Sequence, residues 1–130
     1  MSKKITVKKK IENINKTISV PGDKSLSIRW VLFSSLADGI SIAKNLLLSD
    51  DVYAAINAIK KLGIKVIVNK NECRIFGKGF NGYNYKKNLV INANNSGTLG
   101  RLILGLIINS PYPIKLIGDR SLSNRDFKRI

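Results

Sequence analysis

Three times along this 130-residue chain a small residue at an expected helix start is followed, four positions on, by an arginine: Ser25 and Arg29, Gly97 and Arg101, Ser121 and Arg125. Residues i and i+4 share one face of a helix, so each arginine stands a turn above the backbone N–H groups that the first turn leaves unpaired. Such amides and the helix dipole attract anions, and a guanidinium grips phosphate or carboxylate with two parallel donors. Lys24 adds a cation beside Ser25 in "VPGDKSLSIRW", and "NNSGTLGR" surrounds Gly97 with Asn95 and Thr98. Together these residues suit a phosphorylated or carboxylated ligand.

Each motif also has an ordinary structural explanation. Ser25 alone could simply cap its helix. "NNSGTLGR" reads as a polar turn, and "GDRSLSNRDFKR" as a basic surface helix. The recurrence of the arrangement favours anion binding. The chain has no histidine, which excludes Ser-His-Asp and Cys-His nucleophile pairs and leaves only one cysteine and scattered carboxylates as zinc ligands. Proton transfer would have to use Lys, Asp, Glu or Tyr.

The elements that position these residues follow from hydrophobic periodicity. "TISV" alternates as a strand, Leu26 to Leu36 is apolar nearly all round as in a buried helix, "ADG" breaks the pattern, and "ISIAKNL" resumes as a strand. "SDD" offers an N-cap for a second helix, in which Val52, Ala55, Ile56, Ile59 and Leu62 recur at helical spacing until Gly63 ends it. Two strands follow, "KVIVNKN" and "ECRIFGKGF", turning at 69–72. The order is βαβαββ. Laying Arg29 on Arg101, without gaps, puts "RWVLFSSLA" over "RLILGLIIN", "DG" over "SP" and Ser49 over Ser121, the pattern of a second unit. Two unrelated helix–strand–helix segments are the alternative.

Length and 44% hydrophobic content fit one compact domain or part of a larger one. A net charge of +15 points to nucleic acid, a membrane surface, anionic small molecules or a lysine-rich solvated surface. The single cysteine, Cys73, allows no intrachain disulfide and suits a reducing compartment. The basic start lacks the apolar core of a signal peptide, and the run from Leu102 to Ile108 is too short to span a bilayer. A cytoplasmic protein without membrane contact is expected.

At these residues the chain resembles the 5-enolpyruvylshikimate-3-phosphate synthase family of enolpyruvyl transferases. "PGDKSLSIR", "LLLSDDVYAAINAIKKLGIKV", "NNSGTLGRL" and "GDRSLSNRDFKRI" are similar to its signatures in order, from Val20 to the last residue. The resemblance implies transfer of the enolpyruvyl group of phosphoenolpyruvate to the 5-hydroxyl of shikimate 3-phosphate with release of phosphate, in aromatic amino acid biosynthesis, without metal or organic cofactor. It implies an α/β fold of repeated βαβαββ units, an inverse α/β barrel-like architecture that is incomplete here. Residues 1–20 would be N-terminal strands belonging with a partner domain, and residues 21–130 part of the substrate-binding domain.

By the same resemblance, Lys24 lies near both substrates and is the catalytic candidate. Ser25 and Arg29 hold shikimate 3-phosphate. Asn95, Gly97 and Thr98 form the loop beside phosphoenolpyruvate, Arg125 binds it, and Arg101 is a further basic position of the site. Glyphosate, which resembles phosphoenolpyruvate in charge, would occupy its place above the bare Gly97. Two positions depart from the family pattern: Asn94 stands where a glycine is usual, and Asp126 where a proline is common.

The resemblance places the proton-transfer aspartate and lysine beyond Ile130. The chain is therefore expected to be an N-terminal portion, inactive and marginally folded alone, of an enzyme that is monomeric when full length. Two other readings differ in their demands. The sister enzyme acting on UDP-N-acetylglucosamine has a first signature without this Lys-Ser spacing to an arginine. A basic nucleic-acid-binding module would interleave its four Phe, four Tyr and one Trp with the cations as a stacking platform, and this chain does not.

Overall fold

The computed structural model describes residues 17–70 and 72–128, together with positions 6, 8 and 15. Most of the expected N-terminal strand region, 1–20, thus lies outside the described residues. Helix α1 (Lys24–Leu36) opens on Asp23, whose carboxylate accepts from the Leu26 amide at 2.7 Å. Such a cap contributes about 1 kcal/mol. Strand β1 (Asp38–Lys44) follows, then α2 (Asp50–Lys61), β2 (Lys65–Val68) and β3 (Glu72–Lys78). Gly63 ends α2 at φ 84°, with Gly63 N–H donating to Lys60 O and Ile64 N–H to Ile59 O, a Schellman stop.

The three strands form an antiparallel sheet in the order β1-β3-β2, with Ala43 opposite Cys73 and Val66 opposite Ile75. Alternation places Val66, Cys73 and Ile75 inward while Ile67 and Arg74 face out. Ile28, Val31 and Leu32 of α1 and Val52, Ala55, Ile56 and Ile59 of α2 complete this core. A second unit begins with β4 (Val90–Asn92), α3 (Gly97–Leu106), β5 (Lys115–Ile117) and a short α4 (Arg120–Ser123). Strands β4 and β5 are parallel neighbours, with Ile91 opposite Leu116. Ile91, Leu99, Ile103 and Leu122 join the same core. The linker between units is tied down where the buried Tyr83 hydroxyl meets Ser35 of α1 at 2.7 Å.

Several expectations require correction. "TISV" forms no strand: Ile18 is 78% exposed, and Val20 O accepts from the Asn45 side chain at 2.8 Å. Its counterpart β4 has a parallel partner in β5, whereas β1 pairs with β3, so among the described residues no strand lies alongside 17–20. The first unit therefore runs αβαββ in the described residues. Helix α1 is not buried all round; Leu26 (68% exposed) and Phe33 face outward. "ADG" does end α1, whose C-cap is Ala37, but β1 starts earlier than expected, at Asp38, with Gly39 at φ 107° inside the strand. Ser49 is the N-cap residue of α2 but makes no side-chain capping bond, and its counterpart Ser121 lies inside α4, which Asp119 caps. Among the described residues, no helix is long and apolar enough to cross a membrane.

Candidate anion-binding site

The second unit's loops assemble the site because β4 and β5 run side by side in the same direction. Their carboxyl ends lead into 94–96 and 118–119, and open α/β sheets gather ligands at that edge. The loops are stitched by Ala93 N–H to Ile117 O and Asp119 N–H to Asn94 O, each 2.8 Å. Gly118 permits this approach: a β-carbon there would lie 2.9 Å from Asn94 O and closer still to Leu122. Asn94 itself sits at φ 49°, the left-handed region that glycine favours and asparagine tolerates. The asparagine-for-glycine departure is thus accommodated by the backbone.

Ser96 caps α3 by accepting from the Leu99 amide at 3.2 Å, which makes Gly97 the first helical residue. Arg101 returns one turn to donate to Gly97 O at 3.3 Å and also donates to Asp126 O at 2.9 Å, its guanidinium stacked 5.1 Å from the Phe127 ring. Arg125 donates to the Asn95 side-chain oxygen and, at 3.4 Å, to Ser121 Oγ. The Asp126 carboxylate, the second departure, accepts from the Lys128 amide at 2.7 Å.

Across the opening stands the start of α1. Lys24, Asn95, Gly97, Thr98, Arg101 and Arg125 line one cleft of about 460 Å³, with a seventh residue, Asp51 of α2. Lys24 Nζ lies 3.0 Å from an Asp51 oxygen. A cavity of about 400 Å³ beside β5, lined by Leu116, Ile117, Leu122 and Phe127 among others, is mainly apolar and has no charged side chain in its wall. Of these two, only the cleft is lined by charged side chains.

Six of the eight sequence-predicted residues are brought together there. Ser25 and Arg29 are not among its lining: they occupy the adjacent first two turns of α1, where exposed Arg29 donates to Ser25 O at 3.2 Å. The inferred helix starts shift slightly, since Asp23, Ser96 and Asp119 are the caps and Ser25 and Ser121 are second helical residues. Each arginine nevertheless reaches back to the residue four before it. Sequence reasoning treated "SDD" only as a helix start and missed Asp51. An acidic first turn gives no sign of which carboxylate faces a lysine from another helix.

The family model for EPSP synthase (3-phosphoshikimate 1-carboxyvinyltransferase) matches residues 8–130. A 3-phosphoshikimate 1-carboxyvinyltransferase of Bacillus cytotoxicus is 40% identical over 119 residues, 92% of this chain and 28% of the relative. One of Streptococcus pyogenes is 43% identical over 114 residues, 88% of this chain and 26% of the relative. The solved structure of EPSP synthase from Acinetobacter baumannii superposes with a TM-score of 0.79 at 32% identity, covering 86% of this chain and 26% of that one. The chain thus spans little more than a quarter of the length of these relatives. With nearly its whole length matched by the family model and its fold shared with a solved member, the chain belongs to the EPSP synthase family.

Proposed function

We propose that this chain furnishes part of the substrate site of an enzyme that moves the enolpyruvyl group of phosphoenolpyruvate to the 5-hydroxyl of shikimate 3-phosphate and releases phosphate. One observation carries this reading: three cations from separate segments, Lys24 of α1, Arg101 of α3 and Arg125 just after α4, line a single cleft with the start of α3. Bringing two multiply charged anions together is opposed by their mutual repulsion. Fixed cations and oriented backbone dipoles offset that repulsion without reorganising during the reaction.

In this reading Lys24 lies between the substrates, Arg125 and the 95–98 loop hold phosphoenolpyruvate, and Ser25 and Arg29 on the adjoining turns hold shikimate 3-phosphate. Arg101 anchors the backbone next to Arg125 through Asp126 O while keeping its charge at the cleft. These residues bind and orient; proton transfer is not assigned to them. The net charge of +15 steers anionic substrates inward. The partners are small molecules, not nucleic acid or membrane, and the setting is the cytoplasm, in keeping with the free buried Cys73.

The test is titration of a full-length chimera, in which this isotopically labelled chain replaces the matched segment of the Bacillus cytotoxicus relative, with shikimate 3-phosphate and phosphoenolpyruvate, read by amide chemical shifts. Saturable shifts at Ser25, Arg29, Thr98 and Arg101, absent with unphosphorylated shikimate, are expected. Shifts confined to other surfaces, or none, would overturn the reading.

A further inference from the structure

The cationic cleft contains one carboxylate, Asp51, and its presence needs a reason. Asp51 is the second residue of α2, at the positive end of the helix dipole. Its side chain is 19% exposed, against 55% for Lys24. The two helix starts are held together independently of the ion pair. The Leu47 amide donates to Ser27 Oγ of α1 at 3.1 Å, and a β-carbon on Gly22 would lie 2.7 Å from Leu47 N. Asp51 is thus fixed, while Lys24 is a long flexible stem that it captures.

Stability does not account for this pair, because partly exposed ion pairs contribute little. For an anion entering the cleft, the carboxylate is a repulsive charge close to the cation it needs. We propose that Asp51 is a positioning and selectivity residue: it holds Lys24 at the cleft wall and competes with the incoming anion for it. An anion that gains only Lys24 must displace an internal partner of equal charge. One that also reaches Arg125 gains a second contact that this exchange does not weaken. Simple anions such as inorganic phosphate are therefore disfavoured relative to larger, multiply anionic ligands. The inference builds on the reading of the cleft as an anion site but does not depend on the identity of the substrates.

The test uses a full-length chimera, this chain in place of the matched segment of the Bacillus cytotoxicus relative, with lysine side-chain nitrogen NMR and inorganic phosphate as the probe. In the parent chimera, the Lys24 ammonium should give the restrained signal of an ion pair and shift as phosphate is added. Asp51→Asn should release Lys24 to a free-lysine signal and tighten phosphate binding about two- to tenfold, the range expected for removing one nearby like charge in a screened site. Asp51→Glu should retain parent-like phosphate affinity. Asp50→Asn makes the same change in net charge one residue away, outside the cleft wall, and should leave the Lys24 signal as in the parent. An amide spectrum unchanged beyond the cleft confirms the fold of each variant.

An unchanged Lys24 signal in Asp51→Asn, equal tightening by Asp50→Asn, or no phosphate binding by either parent or Asp51→Asn would overturn the proposal. Parallel titrations with shikimate 3-phosphate and with citrate, an unrelated multiply anionic ligand, separate the two claims. If neither outbinds phosphate, the selectivity role of Asp51 fails; if shikimate 3-phosphate binds no better than citrate while the Asp51 effects hold, the substrate assignment fails and the role of Asp51 stands.

Discussion

Arg101 and Arg125 converge over a glycine: a β-carbon on Gly97 would lie 2.9 Å from Nη1 of each. The neighbours it would meet are the ends of long side chains, which can withdraw by a few tenths of an ångström. Gly97→Ala should therefore leave the fold intact and displace both guanidinium groups slightly. In a turnover-competent protein carrying this segment, the inhibition constant for glyphosate should rise more than the KM for phosphoenolpyruvate, because the added methyl excludes the longer occupant first. Equal losses for both would contradict the placement of Gly97 beside phosphoenolpyruvate.

Arg29 lies on the second turn of α1, outside the cleft wall, with Ser25 O as its one acceptor among the described residues. Arg29→Ala should weaken shikimate 3-phosphate by about 1.5–3 kcal/mol, the range for a charged hydrogen bond. The melting temperature should hardly change, since Arg29 is exposed. Calorimetry showing unchanged affinity would remove Arg29 from the site.

How far this arrangement was legible beforehand differs from residue to residue. Val52, Ala55, Ile56 and Ile59 announced α2, and Gly63 its end, because periodicity and the need for positive φ are local properties. The cluster of Asn95, Gly97 and Arg125 was visible only as recurring spacing and by resemblance. Its cause, the parallel pairing of β4 with β5, is a long-range contact that no window of sequence contains. "TISV" illustrates the converse: alternation marks a strand's capacity, but a strand also needs a neighbour. Asp51 was invisible for the same reason as the pairing, since its partner Lys24 comes from another helix.

The Ser35–Tyr83 bond is buried and links α1 to the connection between units. Tyr83→Phe removes its hydroxyl and should cost about 1–2 kcal/mol in denaturant unfolding. Burial, the largest influence, raises the Tyr83 pKa above its ordinary 10.0, with the Ser35 bond opposing and Tyr85 adding to the rise. The folded state therefore favours the neutral phenol. Its contribution is complete below the unfolded value and is lost as pH climbs through the higher folded one. Tyr83→Phe should flatten that alkaline decline; an identical decline would assign it to other groups.

Cys73 is 1% exposed on the inner face of β3, and burial pushes its thiol pKa up, partly opposed by Lys60. Thiolate is then scarce and shielded. Alkylation by iodoacetamide at pH 8 should be much slower than for a free cysteine and accelerate with urea through the unfolding transition. Reaction at the free-thiol rate in the native protein would mean that the sheet does not cover this core.

The central claim, that Lys24, Arg101, Arg125 and their neighbours form part of an enolpyruvyl-transfer site, is tested most directly by transplanting the segment. The matched 119 residues of the Bacillus cytotoxicus relative are replaced by those of this chain, and phosphate release is measured with phosphoenolpyruvate and shikimate 3-phosphate. The account predicts turnover within about tenfold of the parent relative, and a fall of about 100-fold or more in kcat/KM on Arg125→Ala, as loss of a charged contact to the reacting anion requires. A chimera that melts cooperatively yet releases no phosphate, or one indifferent to Arg125→Ala, would contradict it.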